Sequence, residues 1–375
     1  MLGMAKEKVR CIHRQGSGCY GHNGADDAAA DAAMLARALP GRPVRLQWMR
    51  EQEHAWEPYG PAMVAKVSAS LDDNGSIVDW DYGVWSNTHS MRPGGAGSLL
   101  AARALASAFA EPEPKPIPMP EGGGDRNSIP LYKFPSLRVI NHFLPAMPVR
   151  VSALRALGAF MNVFAIESFM DELAASAGAD PVQFRLKHLD DPRAREVVSL
   201  AAERFGWSDR SPAALPRRDP GRGRGFSFAR YKNLAAYCAV ACEVEVKPGT
   251  SQPRLVRAVA AVDSGQVVNP DGIVNQIEGA ILQSTSWTPY ENVTFDERRI
   301  TSVDWASYPI LRFSAVIDSI DVHIINRPGL PFLGSGEAGQ GPASAAIANA
   351  IADATGHRFR DLPLTRERIK AAIGA

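Results

Sequence analysis

The chain predicts an α+β fold, with mixed sheets, helices packed on them, and two lobes with a site between. Three observations carry this. Residues 62–71 alternate, with Met63, Val67, Ala69 and Leu71 on one side, and Asp73-Asn74-Gly75 is a hairpin signal ahead of a return strand at 77–85. Three helical segments then follow one another between residues 162 and 206 and form a layer. Beyond them, Val- and Ala-rich strands at 237–246 and 255–262, a helix at 273–283, a strand at 320–325 and an Ala-rich helix at 343–355 make a second unit.

Taken in order, residues 9–13 read as a short strand running into a glycine-rich loop, Gly16-Ser17-Gly18-Cys19-Tyr20-Gly21-His22-Asn23-Gly24. An Ala-rich helix is expected over 26–39, stopped by Pro40-Gly41. Strand, glycine-rich turn and helix can bring backbone N–H groups to a dinucleotide or phosphate. The glycine spacing is not G-x-G-x-x-G, however, and the Gly-Lys-Ser/Thr ending of a phosphate loop is absent. His13 and His22 lack the i, i+4 spacing of a helical metal pair and read as loop residues.

A strand is expected at 44–49. Trp80 and Tyr82 read as hairpin side chains packed on a core. The segment Trp56-Glu57-Pro58-Tyr59-Gly60-Pro61 reads as a loop with exposed aromatics, and Trp56 and Tyr59 could wall a pocket for a flat substrate. Residues 106–127, Pro-rich and then carrying Gly122-Gly123-Gly124, cannot be helix or central strand and read as an extended loop or mobile insertion.

A strand ends and a helix begins within 149–159. The helix at 162–177 carries Val163, Phe164, Ile166, Met170 and Leu173 with helical period and stops at Gly178. Asp180 caps the next, with Pro181 first and Gln183 as capping-box partner, and Asp191-Pro192 opens a third that ends at Gly206. Residues 211–225 form a polar Pro/Arg/Gly connection, which divides the chain into a first lobe, 1–210, and a second, 211–375. Cys238 and Cys242, four apart in a strand, point to one face as a buried pair; with Cys11 and Cys19 they make no zinc or iron–sulfur spacing. Asn269-Pro270-Asp271-Gly272 leads into the helix at 273–283, whose polar members are Gln276, Glu278 and Gln283.

A chain of 375 residues has the length for two domains, and 45% hydrophobic with 22% charged residues is a soluble globular composition. A net charge of +1 without a Lys/Arg block argues against a general nucleic-acid binder. No apolar run approaches a membrane span, and the first residues carry no signal core or twin arginine. Cytoplasm and periplasm both remain open.

Chemistry concentrates at Gly334-Ser335-Gly336-Glu337-Ala338-Gly339-Gln340-Gly341-Pro342. Pro342 suits the first position of the following helix. The four glycines allow a sharp turn close to a ligand, and a helix start offers free N–H groups and a positive dipole end to an anionic ligand or cofactor. Glu337 is the one carboxylate among them. Taken alone, the loop reads first as an ordinary structural turn with Glu337 a surface acid, because Gly-rich turns ahead of helices are common.

Several motifs recur together, in order, in one family. They are the loop at 16–24, Glu-Pro-Tyr-Gly-Pro at 57–61, Leu-Arg-Ala-Leu-Gly at 154–158, Val-Asn-Pro-Asp-Gly at 268–272 followed by Asn-Gln-Ile-Glu-Gly at 275–279, and Gly-Ser-Gly-Glu ahead of the Ala-rich helix. From about residue 9 to residue 363 the chain resembles the molybdenum-binding subunit of the xanthine dehydrogenase family. More narrowly, it resembles the isoquinoline 1-oxidoreductase beta-subunit and nicotinate dehydrogenase large-subunit group.

The resemblance implies a two-lobed molybdopterin-binding domain of the aldehyde oxidase/xanthine dehydrogenase type. It implies a molybdenum hydroxylase that oxidises an N-heteroaromatic compound or an aldehyde with water as oxygen source. Glu337 matches the catalytic base, for which burial would raise the pKa toward the working pH. Gly18, Tyr20 and Gly21 match the segment beside the metal's apical position. Arg155, Ala156 and Gly158 match a loop touching cofactor and substrate from the other side. Gln276 matches a glutamine that contacts the pterin, and Gly336 leaves room beside Glu337. The implied cofactor is molybdenum–molybdopterin cytosine dinucleotide, its metal held by the pterin and not by protein ligands. Electrons would leave through a small [2Fe-2S] subunit, because no cysteine set here could hold a cluster, with a c-type cytochrome as a further acceptor. The family's N-terminal cofactor loop has no counterpart, so the resemblance implies that another chain supplies the missing N-terminal half or that this is a fragment. A non-catalytic remnant and a nucleotide-binding protein using the loop at 16–24 are the competing expectations.

Overall fold

A computed structural model describes every residue except Ser17, 209–220, Pro248 and Ala375. The expected connection at 211–225, with the lobe boundary at 210, therefore lies mostly outside the described residues.

The first unit holds helices α1 (Ala25–Ala38) and α2 (Arg50–Trp56), the hairpin β1 (Met63–Leu71) and β2 (Ile77–Ser86), the short α3 (Leu100–Arg103), and β3 (Ser136–Phe143). β2 is the central strand, antiparallel to β1 and parallel to β3. The hairpin turns at Gly75, where φ is 66°, and the Asp72 carboxylate accepts from the N–H groups of Asn74 and Ser76. Alternation along β2 buries Trp80, Tyr82 and Val84 completely, as their spacing predicts.

Three helices follow, α4 (Ala159–Ser176), α5 (Pro181–Lys187) and α6 (Pro192–Phe205). Asp180 and Asp191 each cap a helix that has proline in its first turn, and each side chain accepts from two free backbone N–H groups. The second sheet runs in the order β4 (Arg222–Arg230), β5 (Tyr237–Val246), β6 (Pro253–Asp263), β7 (Ser319–Ile325), antiparallel except for the β6–β7 pair. Helix α7 (Pro270–Trp287) lies in the β6–β7 connection, capped by the Asn269 side chain. Helices α8 (Gln340–Thr355) and α9 (Arg366–Ile373) close the chain. Among the described residues no helix is long and apolar enough to cross a membrane.

α8 is packed on β4 closely enough to explain both sequences. A Cβ on Gly225 would lie 1.9 Å from the Ala346 carbonyl oxygen, and one on Gly223 would lie 2.1 Å from that of Ala350. The strand needs glycine and the helix needs alanine, because their backbones touch.

Several expectations fail here. Residues 9–13 and 44–49 form no strand; neither segment has a ladder partner. β3 and β4 were not expected. β4 carries glycine and arginine, which signal a loop, yet its glycines answer to α8. α8 begins at Gln340, so Pro342 is its third residue and not its first. The Pro/Gly-rich segment is anchored at its far end and is not a mobile insertion there. Gly122, Gly123, Gly124, Arg126 and Asn127 are buried, and Asn162 of α4 donates 2.8 Å hydrogen bonds to the carbonyls of Gly124 and Arg126.

A buried ion pair joins the helices to β4 of the second sheet and to the segment that leads into β3. Arg185 on α5 and Glu167 on α4, 0% and 1% exposed, meet at 2.8 Å. Glu167 also accepts from the Tyr132 hydroxyl at 2.6 Å and the Phe228 N–H of β4 at 2.8 Å, while Arg185 reaches Asp171 at 2.7 Å. Replacing Glu167 by Gln leaves a buried guanidinium undercompensated. The expected loss is about 3–5 kcal/mol of unfolding free energy by urea titration. A loss no larger than that from removing Lys133 of the exposed Lys133–Asp190 pair would show that the network does not tie the helices to β4 energetically.

Candidate active site

The segment at 149–158 sets the geometry. Val151 pairs with Tyr59 in an isolated parallel bridge and Leu154 pairs with Gly21 in an antiparallel one. The backbone then enters the left-handed region at two successive L-residues, Ala156 (φ 74°) and Leu157 (φ 52°). Gly158 follows, and its N–H donates to the Gly123 carbonyl at 3.1 Å. A Cβ on Gly158 would fall 2.4 Å from the carbonyl oxygens of both Gly123 and Gly124, so only glycine fits.

This turn points the Ala156 N–H at Glu337, whose Oε1 accepts it at 2.9 Å. Arg155 is 6% exposed and runs to the other side of the same loop. It donates to the Gly336 carbonyl through Nε at 3.1 Å, to the carbonyl and Oε1 of Gln276 at 3.0 and 3.2 Å, and to Gln283 Oε1 at 3.3 Å. Its donors are committed to protein acceptors, so Arg155 clasps α7 to the Glu337 loop.

Glu337 is half-buried. Its Oε2 accepts from the Tyr231 hydroxyl at 2.6 Å, and the Tyr231 oxygen accepts from Arg126 Nη1 at 2.6 Å. Burial first, then the charge of Glu337, holds the Tyr231 phenol far above its ordinary pKa, so it stays a neutral donor. Beside the carboxylate, the backbone N–H groups of Ser335, Gly336 and Glu337 donate to no acceptor among the described residues. The side-chain amide of Gln340, at the start of α8, is fully buried and neither of its polar atoms has a partner.

The loop at 16–24 meets this arrangement from outside. The His22 N–H donates to the Ala153 carbonyl at 2.9 Å, and Arg92 donates to the Gly21 carbonyl at 3.1 Å. Gly21 has φ 134°, and a Cβ there would lie 2.1 Å from the Ala153 oxygen. Gly18 and Tyr20 are exposed, and the Tyr20 phenol lies within electrostatic range of Arg155. Gly21, Arg155, Ala156, Gly158, Gln276, Gly336 and Glu337 are thus brought into one contiguous set of contacts.

The aromatic pair behaves differently. Trp56 closes α2 and is 56% exposed, but the Tyr59 hydroxyl folds back to donate to the His54 carbonyl. Only Trp56 is an exposed aromatic of the kind expected for both. The segment still borders the site, because Gly60 lies against the Leu154 side chain. Glu57, partly buried and without a hydrogen-bonded partner among the described residues, is pushed up to about 7 by burial and then by Glu53. His22 is buried, and no group of three or more His, Cys, Asp or Glu among the described residues could hold a metal ion.

Sequence reasoning missed Tyr231 and Arg126. The available signal was Gly122-Gly123-Gly124, a run that permits another backbone to approach, two residues before the arginine.

Two family models, each described as a molybdopterin cofactor-binding domain, match the chain, one over residues 1–109 and 119–189 and the other over 163–317. The chain is 42% identical to a nicotinate dehydrogenase subunit of Pseudomonas putida, across 100% of this chain and 31% of that protein. It is 29% identical to the beta subunit of isoquinoline 1-oxidoreductase of Brevundimonas diminuta, across 97% of this chain and 44% of that one. The chain therefore spans less than half the length of these relatives. Among solved structures, quinoline 2-oxidoreductase from Pseudomonas putida 86 superposes with a TM-score of 0.70 at 15% identity, covering 91% of this chain and 65% of that one. Aldehyde oxidoreductase from Desulfovibrio gigas does so with 0.69 at 17% identity, covering 92% and 53%. These two likenesses establish the mixed-sheet α+β architecture. With the two family matches together spanning most of the sequence, the chain belongs to the molybdopterin cofactor-binding domain family.

Proposed function

We propose that this chain forms part of the catalytic subunit of a molybdenum hydroxylase that oxidises an N-heteroaromatic compound or an aldehyde, with Glu337 as the base. The observation that carries this is the setting of one carboxylate. Glu337 is held between the Ala156 N–H and the Tyr231 hydroxyl, where three glycine-bearing segments meet. The relatives' names, a nicotinate dehydrogenase and an isoquinoline oxidoreductase, support a ring substrate.

The residues present suit the cofactor. Uncommitted N–H groups at 335–337 and the unpartnered Gln340 amide offer donors and an acceptor to phosphate oxygens or ring heteroatoms. The nearest atom to a Cβ built on Gly336 would be Gln276 Oε1 at 3.8 Å, which leaves room over that glycine. In this reading Gly18, Tyr20, Gly21, Gln276, Gly336 and the turn at 155–158 line the cofactor. When bound there, the cofactor would supply the two-electron redox chemistry. Glu337 takes the proton. Each of its oxygens receives one hydrogen bond and keeps a further acceptor site, so the carboxylate is oriented without being saturated. Arg155 fixes the loop's distance from α7, and Trp56 forms an outer wall for a flat ring.

The cytosine dinucleotide form, a small [2Fe-2S] subunit and a c-type cytochrome acceptor belong to the same proposal. Cys11 and Cys19 are exposed while Cys238 and Cys242 are buried in β5, which supports a cluster on another polypeptide. The division into two lobes, 1–210 and 211–375, with the site between them, is part of this proposal as well.

Replacing Glu337 by Gln should lower turnover at least about 10²-fold in the assembled complex, with molybdenum content by elemental analysis unchanged. Undiminished turnover at full molybdenum occupancy would refute the assignment. Gly21→Ala forces the loop at 16–24 away from Ala153. We expect less molybdenum and less released pterin fluorescence per complex; normal content would remove Gly21 from the cofactor site. Trp56→Ala should raise KM for a ring substrate with kcat preserved, and an unchanged KM would remove Trp56 from the pocket.

A further inference from the structure

We infer that Tyr231, backed by Arg126, is a positioning residue for Glu337 that fixes the orientation of its carboxylate. The inference rests on the reading of Glu337 as the base. Its direction comes from donor chemistry. A guanidinium can only donate, so the Tyr231 oxygen must accept from Arg126, and the phenolic proton is left to point at Glu337 Oε2. Both contacts measure 2.6 Å, and the Tyr231–Glu337 one lies in the range of charge-assisted O–H···O hydrogen bonds.

The chain of donors is anchored at both ends. Arg126 also donates to the carbonyls of Glu121 at 2.9 Å and Gly122 at 3.0 Å, and its guanidinium lies 5.5 Å from the Tyr231 ring centroid. Tyr231 is 5% exposed; its N–H bonds the Ala236 carbonyl at 2.9 Å, and the Ala236 N–H bonds the Gly334 carbonyl at 3.2 Å. The tyrosine turn and the Glu337 loop therefore move as one piece. Asn127 adds a clamp, accepting from the Lys232 N–H and donating to the Arg230 carbonyl, both at 2.8 Å.

Other charged groups face this chain. Lys232 places its amine 5.6 Å from the Tyr231 ring and pairs with Glu121, which lies 3.8 Å from Arg126. On the far side Arg155 bonds the Gly336 carbonyl, with the Tyr20 phenol in its electrostatic range. His89 is lowered to about 4, first by burial and then by Arg126, and is neutral at working pH. Arg126 behind the phenol oxygen and the Glu337 carboxylate in front of it orient the Tyr231 hydroxyl toward Glu337. The loop at 121–127, through its buried Arg126, thus acts on Glu337 by way of a neutral group.

The test uses the complete molybdenum-containing complex and Tyr231→Phe. Loss of one donor to a carboxylate raises its proton affinity, so the acid limb of the kcat/KM profile should move up by about one pH unit, a tenfold loss below that limb. A readout independent of turnover is infrared titration of the Glu337 carboxyl band, assigned by its disappearance in Glu337→Gln; its midpoint should rise by the same amount. Arg126→Gln should shift both readouts in the same direction by less, and it carries the test if the tyrosine variant does not assemble. An unmoved limb and band, with Glu337→Gln still inactive, overturns the role of Tyr231 and leaves the base assignment standing. An active Glu337→Gln overturns the base assignment itself.

Discussion

The site depends on a backbone turn that the chain would not adopt unaided. Ala156 and Leu157 both sit in the left-handed region, where L-residues cost on the order of 1–3 kcal/mol each. Three contacts offset that strain. The Leu157 N–H bonds the Leu154 carbonyl at 2.8 Å, Gly158 nests against the carbonyls of Gly123 and Gly124, and the Ala156 N–H finds the Glu337 carboxylate. Relaxing the turn would withdraw the N–H from Glu337 and release Arg155 from α7 together. Strain at this point is thus tied to the position of the acid, and not merely tolerated near it.

The rigidity needed to hold such a turn comes from elements on both sides of residue 210. One apolar cluster contains Trp80 and Tyr82 of the first sheet, Phe184 and Val197 of the helices, and Phe226, Ala239 and Val259 of the second sheet. Through its core runs the Glu167–Arg185 pair, which also fixes a β4 N–H. Asn162, five residues before Glu167 on the same helix, takes the Tyr82 hydroxyl on its oxygen and gives its amide to the loop at 124–126. Helix α4 therefore transmits the register of both sheets to the loop that carries Arg126.

How much of this was legible depends on the range of the interaction. The hairpin at Gly75 and the caps at Asp180 and Asp191 are decided within a few residues, and the sequence states them. The expected strands at 9–13 and 44–49 had the right composition, but a strand needs a partner, and local pattern cannot supply one. β4 failed in the opposite sense, because its glycines record the approach of a helix more than a hundred residues away. Glu337 and the turn at 155–158 were found as motifs in the right order. Tyr231 lies 106 positions from Glu337 and 105 from Arg126, and neither residue belongs to a recognisable pattern. Their pairing exists only in the folded chain.

The electrostatics of the acid follow from where the arginines spend their donors. A guanidinium in direct contact with a carboxylate stabilises the anion strongly and makes it a poor base at neutral pH. Among the described residues Glu337 makes no such ion pair, although Arg155 and Arg126 both lie close to it. Arg155 is used up on the carbonyls of Gly336 and Gln276 and on two glutamine side chains, and Arg126 is used up on two carbonyls and a phenol. What reaches the carboxylate is one amide N–H and one neutral hydroxyl. The fold thus keeps positive charge nearby to hold the loop together while only neutral donors touch the acid. For the base proposed above, which has to take up and release a proton, neutral donors are the compatible partners.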